Sequence, residues 1–282
     1  MRHLLVGALV LVAGCAPARP PALPATPAPT SAEAAALYLD VALIEVPPGD
    51  PFVNDGLWQL GDEQCVALDV KPALEENGLR VCQVGGLLPE RLQALLGAKR
   101  SCPSPRRLRA ELDQPTPVQV GPRRPRVAFH LRAGAADRDV ALTDARCVLE
   151  VVPSPGEDGA LRLRILPRIQ HGQARRVPRV ERDAGGALRW SMEAREAIED
   201  FTELSWEVPV GAGEYVVVGA RVDRENTLGP ALFLSDDEGE PRQRLLVMRL
   251  TQRGGEAPLA RSPRQAPLAL QAGWGQARGT SR

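Results

Sequence analysis

Five cysteines and three histidines hold most of the nucleophilic and soft-ligand capacity of this chain, and their spacing bounds the chemistry open to it. Cys15 stands apart from the others: it ends the apolar run "LLVGALVLVAG" and opens "APARPPALPATPAPT". The other four, Cys65, Cys82, Cys102 and Cys147, include no CxxC pair. In an oxidising compartment they allow one or two disulfides, with three full pairings open, and otherwise serve as small buried thiols. A zinc site is not expected, because His3 sits in the leader and neither His130 nor His171 has ligand spacing around it. No catalytic residue is assigned either. Neither histidine comes with a GxSxG nucleophile elbow, and His171, in "IQHGQ", reads as a turn residue. The acidic "SDDEGE", Ser235 to Glu240, reads as a turn between strands and misses the fixed offsets of a calcium loop. No Walker loop occurs, and no GxGxxG follows a strand.

The chemistry left to Cys15 depends on what precedes it. Arg2 and His3 give a short positive start, Leu4 to Val12 an apolar core of signal-peptide length, and Ala13-Gly14 the small residues a peptidase needs. A spanning helix needs about 20 apolar residues, and this run is shorter, with Pro17 just beyond. Val12-Ala13-Gly14-Cys15 resembles the lipobox of bacterial lipoproteins. The resemblance implies cleavage before Cys15 and acyl chains, palmitate among them, on its sulfur and amine. It also implies attachment to the cell envelope. Ala16, rather than aspartate, follows the cysteine, so the family's sorting rule implies the outer membrane, facing the periplasm. Each buried methylene contributes about 0.8 kcal/mol, and more than one chain makes such an anchor stable. The expected cofactor set is therefore none apart from this covalent lipid on Cys15.

From Ala16 to Thr30 the chain is almost wholly Pro, Ala and Thr, with one charge at Arg19. Such a stretch cannot bury enough apolar surface to fold and favours extended, polyproline-like conformations, which suits a tether. Lysine plus arginine and aspartate plus glutamate are equal at 35 each, so no overall charge draws the protein to nucleic acid. Aromatic residues make up only 4% of the chain, which argues against a base-stacking platform or a sugar-stacking cleft.

The elements that must position any site begin near Ser31. "AAALYLDVALIEV" alternates and ends at Pro47-Pro48-Gly49, a strand. "DPFVNDGLWQLGDEQ" has Asp50 to cap and Pro51 to start a short helix. "KPALEENG" repeats that device, "LRVCQVGG" is a strand, and "LLPERLQALLG" is a helix burying Leu88, Leu92, Leu95 and Leu96. The next stretch is basic and proline-broken and reads mostly as loop, with a strand at Pro117 to Gly121. Its Arg106, Arg107, Arg109, Arg123, Arg124 and Arg126 read as a solvated face beside acidic neighbours, the alternative being a phosphate or anionic-lipid site. Six strands follow: "RVAFHLRAG", "ARCVLEVVP", "ALRLRILPRI", "TELSWEVPV", "EYVVVGARV" and "RLLVMRLTQ". "SMEAREAIEDF" reads as a short helix among them.

The order of these strands resembles the closing part of bacterial secretins, the outer-membrane channels of type II and III secretion and pilus systems. The matched positions are Leu161 to Ile169, Val208 to Ala220 with Gly213-Glu214 and Gly219, and Leu245 to Thr251. The resemblance implies a strand pair around a hairpin at Gly213-Glu214 and a final strand at Leu245 to Thr251. The pattern departs at Ala220 and Gln252, and no long membrane-lip hairpin or full set of ring-forming N-domains is read from the sequence. A related fold used as a tethered module is the expectation.

The fold class expected is α+β: an N-terminal α+β module followed by a mostly antiparallel β module. The divisions are a signal peptide (1–14), lipidated cysteine and tether (15–32), α+β module (33–100), basic proline-rich region (101–126), mostly antiparallel, secretin-like module (127–253) and disordered tail (254–282). The expected role is a non-enzymatic envelope lipoprotein that binds or assembles with a protein partner, such as secretion machinery. The alternatives are a peptidoglycan or envelope-polymer binding module and an unrecognised hydrolase dependent on His171.

Overall fold

A computed structural model describes residues 37–134, 137–156, 160–182, 186–211, 213–237 and 239–252. The leader, Cys15, the tether and the tail, with its Leu268, Leu270 and Trp274, lie outside the described residues.

Among the described residues, twelve strands build two antiparallel sheets. The first has the order β2 (Leu79–Val84), β10 (Tyr215–Ala220), β12 (Glu240–Gln252), β1 (Leu37–Val46) and β3 (Arg106–Ala110), with β11 (Leu234–Asp237) also paired to β12. The second has the order β4 (Thr116–Gln119), β6 (Arg138–Pro155), β7 (Leu161–Arg182) and β8 (Leu188–Asp200). Here β5 (Arg124–Leu131) pairs with β6, and β9 (Trp206–Val210) with β7. The fold is thus mostly antiparallel β, and strands from both ends of the sequence interleave in the first sheet: β1 lies between β12 and β3.

The alternation of side chains explains the layering. Val216 and Val218 of β10, with Leu246 and Met248 of β12, face the second sheet and share one core with its Leu149, Leu163, Ile165 and Trp206. Val217, Leu245 and Val247 point the other way, into a second core with Trp58, Leu92 and Leu96. Both faces of these central strands are buried, which is why "YVVVGA" and "LLVM" read as continuous apolar runs. The helices over the outer face are α1 (Leu57–Leu60), entered through a π-helical turn at Phe52–Gly56, and α3 (Glu90–Gly97). Asp50 Oδ1 accepts the backbone N–H groups of Phe52 and Val53, each at 3.0 Å, as the cap expected there. Next along the chain from α1, α2 (Lys71–Glu76) ends at Gly78, whose φ of +71° is the left-handed stop expected from the sequence.

The last helix, α4 (Leu228–Phe233), seats on that same turn. The Gly229 N–H donates to the Asn77 carbonyl at 2.8 Å, and a Cβ on Gly229 would lie 2.0 Å from the Gly78 carbonyl oxygen. Gly229→Ala should lower the unfolding free energy by about 1–3 kcal/mol, read from the denaturant midpoint, because backbone must move to admit the methyl group. An unchanged midpoint would mean that α4 does not rest on this turn.

Three expectations are corrected. "SMEAREAIEDF" is strand, most of it in β8, because its backbone pairs with β7 over the whole length of β8, and tertiary pairing overrides the helix propensity of Met, Glu, Ala and Arg. The basic region is less of a loop than expected: besides β4, where a strand was expected, it holds β3, which pairs with β1, and the first residues of β5. The implied strand pair around Gly213-Glu214 is not a hairpin either, since β9 joins β7 in the second sheet while β10 joins β2 and β12 in the first.

Candidate interaction surface

The second sheet carries one feature that reaches beyond the body. β7 and β8 are 22 and 13 residues long and pair from Arg168–Asp200 outward to Arg182–Leu188, with a register shift between His171 and Arg175. A long hairpin therefore exists where none was read from the sequence. Up to Gln170, β7 is flanked by β6, and its first residues also by β9. From Arg175 outward, β7 and β8 pair only with each other among the described residues. The result is a two-stranded ribbon roughly 23 Å long, at a rise of about 3.3 Å per residue. Gly172, at φ +71°, sits in the register shift where ribbon and body meet.

Ion pairs clamp the base of the ribbon. Arg123, in the loop before β5, reaches Asp144 at 2.6 Å and Glu196 of β8. Arg138 of β6 holds Glu199 at 2.7 Å, and Arg168 of β7 holds Asp200 at 2.7 Å while also contacting Glu150. The hydrogen bond to Asp144 raises the Arg123 pKa above its ordinary value. Phe201, fully buried next to Asp200, locks this end by donating its N–H to the Pro167 carbonyl at 3.1 Å and stacking edge-on with Phe129 at 5.6 Å.

Beyond the clamp the side chains sort by face. Directly opposed residues of an antiparallel pair lie on the same side of the ribbon. Val180 opposes Trp190, Pro178 opposes Met192 and Arg182 opposes Leu188, so these six share one face. Its apolar members lie open: Trp190 is 71% exposed, Leu188 and Met192 62% each, and Val180 44%. The other face carries Arg175, Arg179, Glu193 and Arg195, where Glu193 bridges Arg179 and Arg195 at 3.3 Å each. The sequence signal for this surface was present and was missed. Leu188, Trp190 and Met192 alternate with Arg189, Ser191 and Glu193, the period of a strand rather than of a helix.

Other residues singled out in the sequence fall elsewhere. All four cysteines of the body are free thiols: Cys82, Cys102 and Cys147 are buried and Cys65 half-buried. Burial pushes the Cys65 and Cys102 thiols up to about 11 and Cys82 up to about 12, and it raises Cys147 as well. Free thiols held neutral in this way should not react promptly with Ellman's reagent at pH 7, and all four should react after unfolding in guanidinium. A count below four after unfolding, without reductant, would show that a disulfide had formed.

His130, in β5, faces Asp139 across the pair with β6, Nδ1 to Oδ1 at 2.9 Å, and both are exposed. His171 lies within β7 opposite Ala197, beside the register shift rather than in a separate turn. Of the basic region, Arg107 pairs with Asp40, Arg109 with Glu111 at 3.6 Å, and Arg123 as above. Arg124 turns inward to the Leu234 carbonyl at 3.1 Å and to Cys147 Sγ at 2.9 Å. These arginines do not converge on one ligand site.

An open groove of about 280 Å³ runs between β1, β3 and β4, lined by Leu43, Glu45, Arg106, Gln119 and Pro122. Among the described residues no cluster of His, Cys, Asp or Glu could hold a metal ion, and no helix is long and apolar enough to cross a membrane. Comparison with family models, with curated proteins and with solved structures found no match for this chain.

Proposed function

We propose that the protein is a bacterial envelope lipoprotein, anchored through acyl chains on Cys15 after cleavage behind Val12-Ala13-Gly14, that binds or assembles with a protein partner rather than catalysing a reaction. In this reading the outer membrane is its address and residues 16–32 its spacer. Residues 33–100 act as an α+β module that carries the mostly antiparallel β module and its ribbon. The resemblance of residues 161–251 to secretins makes secretion machinery the first partner class to test.

The observation that carries the binding role is the ribbon itself. A two-stranded hairpin is marginal alone in water, and this one projects with an outer edge along β8 that is open among the described residues. Such an edge offers unpaired N–H and C=O groups to an incoming strand, the usual basis of β-strand addition. A photo-crosslinking side chain placed at Ser191 should give a discrete protein adduct in intact cells, and the adduct should disappear with Cys15→Ser. The same probe at Leu112, 47% exposed and far from the ribbon in sequence, should give none. No adduct at Ser191, or equal adducts at both positions, would overturn the reading.

The groove beside Glu45, Arg106 and Gln119 favours a second reading, binding to peptidoglycan or another envelope polymer, since it offers both charged and amide side chains along an open channel. Retention of the protein on isolated cell wall, lost with Arg106→Ala and unaffected by changes in the ribbon, would select it.

A further inference from the structure

We propose that the apolar face of the β7–β8 ribbon is a second membrane contact, one that lies flat on an anionic bilayer surface. Trp190, Met192, Leu188, Val180 and Pro178 form the centre of this face, and the most exposed of them, Trp190, is also the largest. An indole is apolar with a polar N–H, and such rings settle at the boundary between headgroups and acyl chains. Arg182 shares the face opposite Leu188, and Arg176 shares it opposite Ala194, so a guanidinium stands at each end of the apolar patch. No carboxylate lies on this face from Arg176 to Arg182 or from Leu188 to Ala194.

The charge decides among possible occupants. From residue 175 to residue 195 the sequence carries Arg175, Arg176, Arg179, Arg182, Arg189 and Arg195 against Glu181, Asp183 and Glu193, an excess of cations in a chain whose formal net charge is zero. A second copy laid face to face would bring Arg176 and Arg182 against their own equivalents, apolar centre on apolar centre but cation on cation. An anionic lipid surface instead accepts both features at once: the arginines meet phosphate groups while the tryptophan and methionine enter the boundary region. The opposite face is charged, with Arg175, Arg179, Glu193 and Arg195, so the ribbon rests on the surface and does not cross it.

The inference rests on the lipid-anchor reading for its bilayer in the cell, since the tether holds the ribbon within reach of lipid. The face's own affinity is separable from that anchor. Every strand of the described residues lies within 37–252, so a chain lacking residues 1–15 retains all of them and removes both leader and acyl chains. Trp58 and Trp206 are buried, and with Trp274→Phe in the background the remaining exposed indole is Trp190.

Mixed with vesicles of phosphatidylglycerol and phosphatidylcholine, this chain should show a blue-shifted emission that brominated lipid quenches. Vesicles of phosphatidylcholine alone should give much less. Trp190→Ser with Met192→Ser should weaken binding, read by sedimentation with vesicles, about tenfold or more. Arg176→Gln and Arg182→Gln should each weaken it about fivefold, with a shallower salt dependence. These positions are exposed, so thermal midpoints should match the parent and keep the test clear of misfolding. No quenching on anionic vesicles, or binding indifferent to all four substitutions, overturns the inference. A lipid-free dimer in sedimentation equilibrium that the Trp190 and Met192 changes abolish would also overturn it, in favour of a second copy. Failure here with acylation of Cys15 intact leaves the anchor standing, whereas an unacylated Cys15 with vesicle binding intact leaves the ribbon standing.

Discussion

Asp40→Ala is expected to lower the unfolding free energy by about 3–5 kcal/mol, the range for removing one partner of a buried ion pair. Asp40 sits in the middle of β1, 1% exposed, and the register places Arg107 of β3 on one side and Arg249 of β12 on the other. Arg107 donates through Nε at 2.6 Å and through Nη2 at 2.9 Å, a two-pronged contact with the carboxylate, and Arg249 Nη2 approaches at 3.4 Å. Arg249 is itself buried, donating to the Tyr215 hydroxyl at 3.0 Å with its guanidinium 5.2 Å from that ring. Without Asp40, two guanidinium groups face each other across β1, and the buried one loses this carboxylate. Arg107→Ala should cost less, about 1–3 kcal/mol, because the buried Asp40 loses two short bonds but keeps Arg249 Nη2 at 3.4 Å. Urea denaturation of the two variants checks the ordering, and an Asp40→Ala loss under about 1 kcal/mol would contradict it.

Phe201→Ala should produce a loss of similar size, about 3–5 kcal/mol, for a different reason. The ring is fully buried and packs edge-on against Phe129, so truncation leaves a void where the second sheet meets the base of the ribbon. The backbone bond from Phe201 to Pro167 and the pairs Arg138–Glu199 and Arg168–Asp200 share that junction. The same variant should therefore speed amide exchange through residues 188–200 more than through β10 or β12, where exchange tracks global unfolding. A loss below about 1 kcal/mol, or uniform exchange across both sheets, would contradict this account of the junction.

The thiols give a stability signature with a definite sign. Burial holds Cys82 neutral up to about 12, against an ordinary value of 9.0, so the unfolded chain releases this proton first. The stabilisation is complete below pH 9 and is lost as pH rises from 9 toward about 12, with a slope of up to about 1.4 kcal/mol per pH unit. Cys82→Ala should remove part of this decline relative to the parent, measured as unfolding midpoints across that range, and an identical pH profile would contradict it.

How much of this was legible in the sequence depends on the range of the interaction. Local devices were readable: Asp50 and Pro51 start a helix, Gly78 stops one, and Leu163 and Ile165 alternate with arginines along a buried strand. Pairing between distant segments was not. Asp40 gives no sign in "LYLDVALIEV" that it will meet arginines from residues 107 and 249, because only the register of three strands brings them together. The interleaving of β1 between β3 and β12 likewise blurs the division between 33–100 and 127–253. The ribbon is hard to read from the sequence because composition and period disagree along it. Its Met, Glu, Ala and Arg favour helix locally, while the alternation from Leu188 to Glu193 had the spacing of a strand.

The most direct test is the intact mass of the protein extracted from the membranes of its own cells. A chain that begins at Cys15 and carries the added mass of acyl groups is the predicted result. A chain that begins at Met1, unacylated and recovered from the soluble fraction, would contradict the proposal at its root.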